Sequence, residues 1–265
     1  MYSFNYHKPD NIQTAREMMR SAEDGIYLAG GQTLIPVMKQ RLSAPTDLID
    51  LSGIGALTDI AVANGQVTVG ALTNHAQVAI STHVKDAIPA LADLAAGIGD
   101  AQVRNRGTLG GSIANNDPAA DYPAALLGLG ALVQTDQRQI AADDFFVGLF
   151  ETRLEEGEIV TSVSFPVPDM AAYLKFPNPA SRYATVGVFI GVKEGLTRVA
   201  VTGAASCVFR AAEIEAALNT DFSVASVDGI AIAADDLNSD IHASAEYRAH
   251  LVSVMTKRVV HHMRE

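Results

Sequence analysis

The chain has 265 residues, 48% of them hydrophobic and 18% charged, which supplies a sizeable core and excludes extended disorder as its main character. Nineteen Lys and Arg stand against 30 Asp and Glu, a net charge of −11 with no basic stripe, which argues against nucleic acid as a partner. The longest apolar run, "YPAALLGLGALV" from Tyr122 to Val133, is too short to span a bilayer, and no signal-peptide pattern opens the chain, so the expected location is the cytoplasm.

In chain order, the first fifty residues alternate: a strand at "FNY", a helix at "IQTAREMMRSA", a strand at "GIYLAGG", a helix at "TLIPVMKQRL" and a strand at "DLIDLS". Asn64-Gly65 then separates two β-prone runs in "LTDIAVANGQVTVGALT", a hairpin signal. Helical stretches follow around "NHAQVAIS" and "AIPALADLAAGIG". From Gln102 to Asp121 the sequence is rich in Gly, Asn and Asp, too irregular for one continuous helix or strand and long for an idle loop. Beyond the apolar segment, "ALVQT", "QRQIAA" and "EIVTSVSFPVP" read as strands, the last closed by Pro166 and Pro168, with a domain boundary expected near Asp169 to Ala171. The remainder gives antiparallel strands at "AAYLKF", "ATVGVFIGVKEG" and "TRVAVTGAASCVF", a helix at "RAAEIEAALN" and a long terminal helix. On that last helix Leu251, Val254, Met255 and Val259 are expected to form one packing face. Strands in runs followed by helices make this an α+β chain.

Cys207 is the only cysteine, so neither an internal disulfide nor a thiolate-ligated cluster belongs to this chain. In "AASCVF" it is expected as a buried structural thiol. The seven histidines form no metal motif, and no metal site is expected.

Two segments carry candidate chemistry. "AGGQT", Ala29 to Thr33, sets adjacent glycines before a helical run, where backbone N–H groups can converge on an anion; Thr33 is a candidate cap. "RGTLGGSIANNDPAADYP" repeats the ingredients, adding Asp117 and Asp121, each also readable as a cap. Each glycine pair read alone is a turn or a ligand site. Neither fits the dinucleotide fingerprint of a Rossmann unit or a P-loop, yet two such segments suggest two halves of a cradle for a diphosphate-bearing ligand.

Taken together, "AGGQTLIPVMKQRL", "RGTLGGSIANNDPAADYPAALLGLGA" and "AAYLKFPNPASRYATVGVFIGV" resemble the FAD-binding medium subunit of the carbon monoxide dehydrogenase and xanthine dehydrogenase family of molybdenum hydroxylases. The resemblance implies a p-cresol methylhydroxylase-type FAD-binding domain at residues 1–170, with subdomains of about 1–55 and 56–170. A C-terminal flavoprotein domain, an antiparallel sheet with helices, would occupy residues 171–265. It further implies one FAD loop at Ala29, Gly30, Gly31, Gln32, Thr33 and Leu34 and a second at Thr108, Leu109, Gly110, Gly111 and Ser112, whose amides would hold the diphosphate. Asp121 would bind FAD hydroxyls, with Asp117, Asn115 and Asn116 on the same loop, and Tyr173 and Lys175 would approach the flavin. Gln32 stands where some relatives have His, and Ser112 where others have an acidic residue.

No catalytic base or nucleophile is implied. The implied role is to pass electrons from 2Fe-2S clusters of a small partner subunit to a terminal acceptor, beside a large molybdopterin-binding subunit, in a doubled heterotrimer. A self-contained FAD oxidoreductase and a non-catalytic phosphometabolite-binding protein are the alternatives.

Overall fold

The computed structural model describes residues 1–265. Its first unit is a three-stranded parallel sheet, β1 (Asn5–His7), β2 (Gly25–Leu28) and β3 (Asp47–Asp50), in the order β1-β3-β2, with crossover helices α1 (Ile12–Ser21) and α2 (Leu34–Lys39). Asn11 starts α1 by accepting the Thr14 N–H, and Ala15 and Ile49 anchor the cluster beneath it.

The second unit is a five-stranded antiparallel sheet. β4 (Ile60–Ala63) and β5 (Gln66–Gly70) form the expected hairpin, with Asn64 at φ +52° and Gly65 at φ +70° in its turn. α3 (His75–Ile80), α4 (Thr82–Ala87) and α5 (Pro89–Ala96) follow. α4 was not separable in the sequence, because Ser81 both ends α3 and caps α4. The irregular stretch resolves into two short helices, α6 (Ala101–Arg106) and α7 (Leu109–Asn115), parted by Gly107. α8 (Tyr122–Leu129) is buried on every side, as its all-apolar sequence requires. β6 (Leu132–Thr135), β7 (Gln139–Ala141), α9 (Ala142–Phe145), and the hairpin of β8 (Phe146–Gly148) with β9 (Glu151–Thr152) lead to β10 (Val160–Pro166). β10 comes last in the chain but lies in the middle of the sheet, ordered β4-β5-β10-β6-β7.

The third unit is a four-stranded antiparallel sheet of β11 (Met170–Pro177), β12 (Ala184–Lys193), β13 (Leu196–Thr202) and β14 (Phe209–Arg210). α10 (Ala212–Thr220) and α11 (Ala245–Arg264) pack on it together with α8. Nine of the ten residues of β12 are buried, which its continuous apolar run fits. At the α8 contact a Cβ on Gly128 would lie 2.5 Å from the Phe189 ring, so only glycine admits that approach.

The packing face of α11 differs from the expected one in one member. Leu251, Met255 and Val259 are buried with Val252 and Val260, whereas Val254 is only half-buried at the edge of the stripe. Cys207 is likewise half-buried rather than enclosed, and its partial burial pushes the thiol above its ordinary value. No helix is long and apolar enough to cross a membrane.

Candidate flavin cleft

A cleft of about 890 Å³ lies where the three units meet, walled by the loop after β2, the first turns of α7, the segment from Asp117 to Asp121, and the end of the loop between β11 and β12. Both glycine pairs line it. They do so in different ways.

The first pair sits in open loop. Gly31 takes φ +71°, and a Cβ on Gly30 would stand 2.2 Å from the Arg106 carbonyl oxygen, so this loop touches the backbone ahead of α7. Thr33 is not a cap: it adopts helical backbone and its side chain bonds no helix amide. The backbone N–H groups of Gly30, Gly31, Gln32, Thr33 and Leu34 find no acceptor within the chain. All five of these residues line the cleft. A run of unpaired amides beside a cavity is a donor set for an anionic group such as a diphosphate.

The second pair sits inside a helix. Thr108 is extended and caps α7, its Oγ1 accepting the Gly111 N–H at 3.1 Å. The amides of Leu109 and Gly110 donate to the carbonyls of Thr73 (3.1 Å) and Ala71 (2.8 Å), and Ser112 donates to Thr108. The expectation that both loops offer free amides therefore needs correction, since these donors join α7 to the segment after β5. A Cβ on Gly110 would meet Ala71 Cβ at 2.5 Å, and one on Gly111 would meet Ala29 Cβ at 3.2 Å. The second pair thus admits close packing and brings the first loop against α7. Leu109 is fully buried in the core and does not reach the cleft, whereas Thr108, Gly110, Gly111 and Ser112 do.

Asp117 lines the cleft, accepts the Ala119 N–H at 2.9 Å, and is pushed up by burial. Asn115 lines it too, but Asn116 turns away. Asn116, at φ +44°, ends α7 and donates through Nδ2 to the carbonyls of Gly148 and Glu151, both at 2.8 Å, holding the β8–β9 hairpin.

Asp121 is 4% exposed and lines the cleft without capping α8. Its Oδ1 accepts the Tyr173 hydroxyl at 2.6 Å and lies 2.9 Å from Lys175 Nζ, which also donates to the Gly97 carbonyl. Burial pushes the Asp121 carboxyl up, against the opposing charge of Lys175 and the Tyr173 hydrogen bond. Tyr173 and Lys175 are thus brought to the site indirectly, holding Asp121 from behind rather than lining the cleft. The last residue of β13 and the glycine after it hold the neighbouring backbone: Thr202 Oγ1 donates to Ala120 O at 2.6 Å, and the Gly203 N–H to Pro118 O at 2.8 Å.

Sequence reasoning missed His75, Glu158, Arg182 and Tyr183, which also line the cleft. They arrive from three separate places in the chain, and neither glycine motif contains any of them. His75 is 4% exposed, and burial, aided by Arg104, lowers it to about 4, so the ring is neutral near pH 7.

Comparison with known proteins fits this geometry. Residues 2–168 match the FAD binding domain in molybdopterin dehydrogenase, and residues 171–263 match the CO dehydrogenase flavoprotein C-terminal domain. The chain belongs to the FAD-binding medium subunits of the molybdenum hydroxylases. It is 35% identical to the nicotine 6-hydroxylase medium subunit of Paenarthrobacter nicotinovorans, over 97% of this chain and 96% of that protein. To the carbon monoxide dehydrogenase medium chain of Afipia carboxidovorans it is 34% identical, again over 97% and 96%. A chain of the cyanide-inactivated Cu,Mo-CO dehydrogenase structure superposes with a TM-score of 0.88 at 32% identity, covering 100% of this chain and 99% of that one. As a member of this family the chain is an FAD-containing subunit of an oxidoreductase complex. The five free amides, the small residues around them and the acceptor-only Asp121 suit such a ligand.

Proposed function

We propose that this subunit binds FAD across the cleft and relays electrons from 2Fe-2S clusters of a small partner subunit to a terminal acceptor, substrate oxidation taking place at a molybdopterin cofactor in a large partner subunit. The observation that carries the reading is the run of unpaired amides from Gly30 to Leu34 lining a cleft of about 890 Å³. In this reading those amides bind the diphosphate, Asp121 accepts hydrogen bonds from ligand hydroxyls, and Tyr173 and Lys175 fix the orientation of Asp121. Leu28, Leu51 and Ile159 are among the apolar residues around the cleft and limit water beside the ligand. FAD, when bound, supplies the capacity to take up electrons singly and pass them on, chemistry the side chains here lack. The chain contributes position and electrostatics rather than an acid or base, and its one cysteine leaves cluster ligation to partners.

The same reading divides the chain into an FAD-binding domain at 1–170, with subdomains of about 1–55 and 56–170, and a C-terminal domain at 171–265. It places the subunit in a cytoplasmic heterotrimer that is doubled. The test is the absorption spectrum of the purified full chain before and after addition of FAD and gel filtration. Retained flavin spectrum is expected. A chain that never retains FAD would refute the reading, and oxidation of an organic substrate by this chain alone would refute its role as a relay.

A further inference from the structure

The charges around the cleft are unevenly matched. Its lining holds four carboxylates, Asp100, Asp117, Asp121 and Glu158, and a single Lys or Arg side chain, Arg182. All four carboxylates have partners: Asp100 accepts the Val103 N–H at the start of α6, Asp117 accepts the Ala119 N–H, Asp121 pairs with Lys175, and Glu158 takes two hydrogen bonds from Arg138. The Arg182 guanidinium forms no ion pair and no hydrogen bond in the chain. It is also exposed, at the solvent edge of the cleft.

The loop that carries it is ordered by its own hydrogen bonds. Asn178 Oδ1 accepts the N–H groups of Ala180 (2.9 Å) and Ser181 (3.2 Å). The Arg182 N–H donates to Asn178 O, and the Asn178 N–H to Tyr183 O. Arg182 itself takes φ +63°, a conformation unfavourable for a side chain of this size.

An anion is the natural partner for this guanidinium, and the question is which one. The diphosphate of FAD already has its donors in the amides of Gly30 to Leu34, on a different wall. What reaches the exposed rim from solvent is the species that takes electrons from the flavin. In a chain of net charge −11, an anionic acceptor is repelled everywhere except where a local positive charge offsets that field.

We propose that Arg182 is the docking point for the anionic group, a phosphate or carboxylate, of a small-molecule electron acceptor, and so helps select which acceptors reoxidise this subunit; the inference rests on the flavin reading above. In the test reaction the reduced flavin gives up two electrons and a proton. Two ferricyanide ions each take one electron and the proton goes to solvent, or a neutral benzoquinone takes both electrons, the flavin proton and one proton from solvent.

The experiment uses the full chain loaded with FAD and reduced anaerobically with dithionite, mixed rapidly with ferricyanide or benzoquinone, and followed by flavin absorbance. The wild type is compared with Arg182→Glu and Arg182→Lys, with thermal melting as the folding control and FAD retention measured by fluorescence. We expect Arg182→Glu to lower the ratio of the ferricyanide rate to the benzoquinone rate by about ten-fold, Arg182→Lys to keep most of it, and added salt to shrink the wild-type ratio. Taking the ratio cancels any change in flavin potential common to both acceptors. An unaltered ratio with FAD retained overturns the inference and leaves the flavin reading standing. Loss of FAD from folded Arg182→Glu also overturns it, since Arg182 would then hold the cofactor, and a wild type that never binds FAD overturns both.

Discussion

The two glycine pairs look alike in the sequence, and both let one backbone segment approach another, Gly30 at Arg106 and Gly110 at Ala71, but they differ in where their amides go. Gly30 and Gly31 lie in a loop whose amides have no partners, so glycine there leaves donors free at a cleft. Gly110 and Gly111 lie in α7, where the amides are satisfied by Ala71 and by Thr108, and glycine there permits the helix to touch the segments after β5 and β2. A glycine pair therefore reports close backbone approach. Whether such a pair also offers donors to a ligand depends on where the amide hydrogens go.

Substitution separates the two roles. The largest effect is expected at Gly30, where a side chain would drive Arg106 and Gly107 away: Gly30→Val should abolish FAD retention on gel filtration and cost about 3 kcal/mol in urea unfolding. A variant that keeps flavin and stability would show that the loops are free to separate.

Next is the pH dependence of the scaffold behind α7, where His75 abuts Gly107. Its folded value of about 4 lies below the ordinary 6.5, so between these limits the unfolded chain holds the extra proton. The stability tied to neutral His75 is complete above 6.5 and is lost as pH falls towards about 4, on the order of 3 kcal/mol in full. His75→Gln should flatten that acid slope relative to the wild type in denaturant titrations across this range. Equal slopes would remove His75 from the account.

A smaller loss is expected at the second pair. Gly110→Ala should destabilise by about 2 kcal/mol, because its Cβ meets Ala71 Cβ at 2.5 Å and Ala71 O at 2.8 Å. Adding Ala71→Gly should restore part of this, since the carbonyl contact remains. If Gly110→Ala instead lost FAD with no change in melting, the contrast between the pairs would collapse. The smallest effect belongs to Thr108→Val, which removes the α7 cap at about 1 kcal/mol, read from the shift in urea midpoint.

Much of the fold was legible because its signals are local. The Asn64-Gly65 hairpin, the continuous apolar run of β12 and the all-apolar α8 each follow from a few adjacent residues. What stayed hidden depends on contacts across the chain. That Leu109 and Gly110 donate to Thr73 and Ala71 is invisible in "RGTLGGS", and nothing in "AAYLKF" says that Tyr173 and Lys175 end on Asp121. The site was legible as two motifs. Its other walls, from His75 to Tyr183, were not, because a cleft at the junction of three units draws short pieces from segments without a shared pattern.

The order of strands in the central sheet also bears on how the molecule is made. β10 pairs Ser162 with Gly70 on one side and Val163 with Val133 on the other, so neither β5 nor β6 has its inner neighbour until residues near 160 have left the ribosome. During that interval two strand edges are open to other chains, and their closure requires contacts between distant parts of the sequence, the slow and aggregation-exposed kind. Synthesis that stalls before β10 should therefore yield a chain that associates with itself, while one that passes β10 has closed the sheet before the last hundred or so residues, and the rest of the flavin cleft, are added.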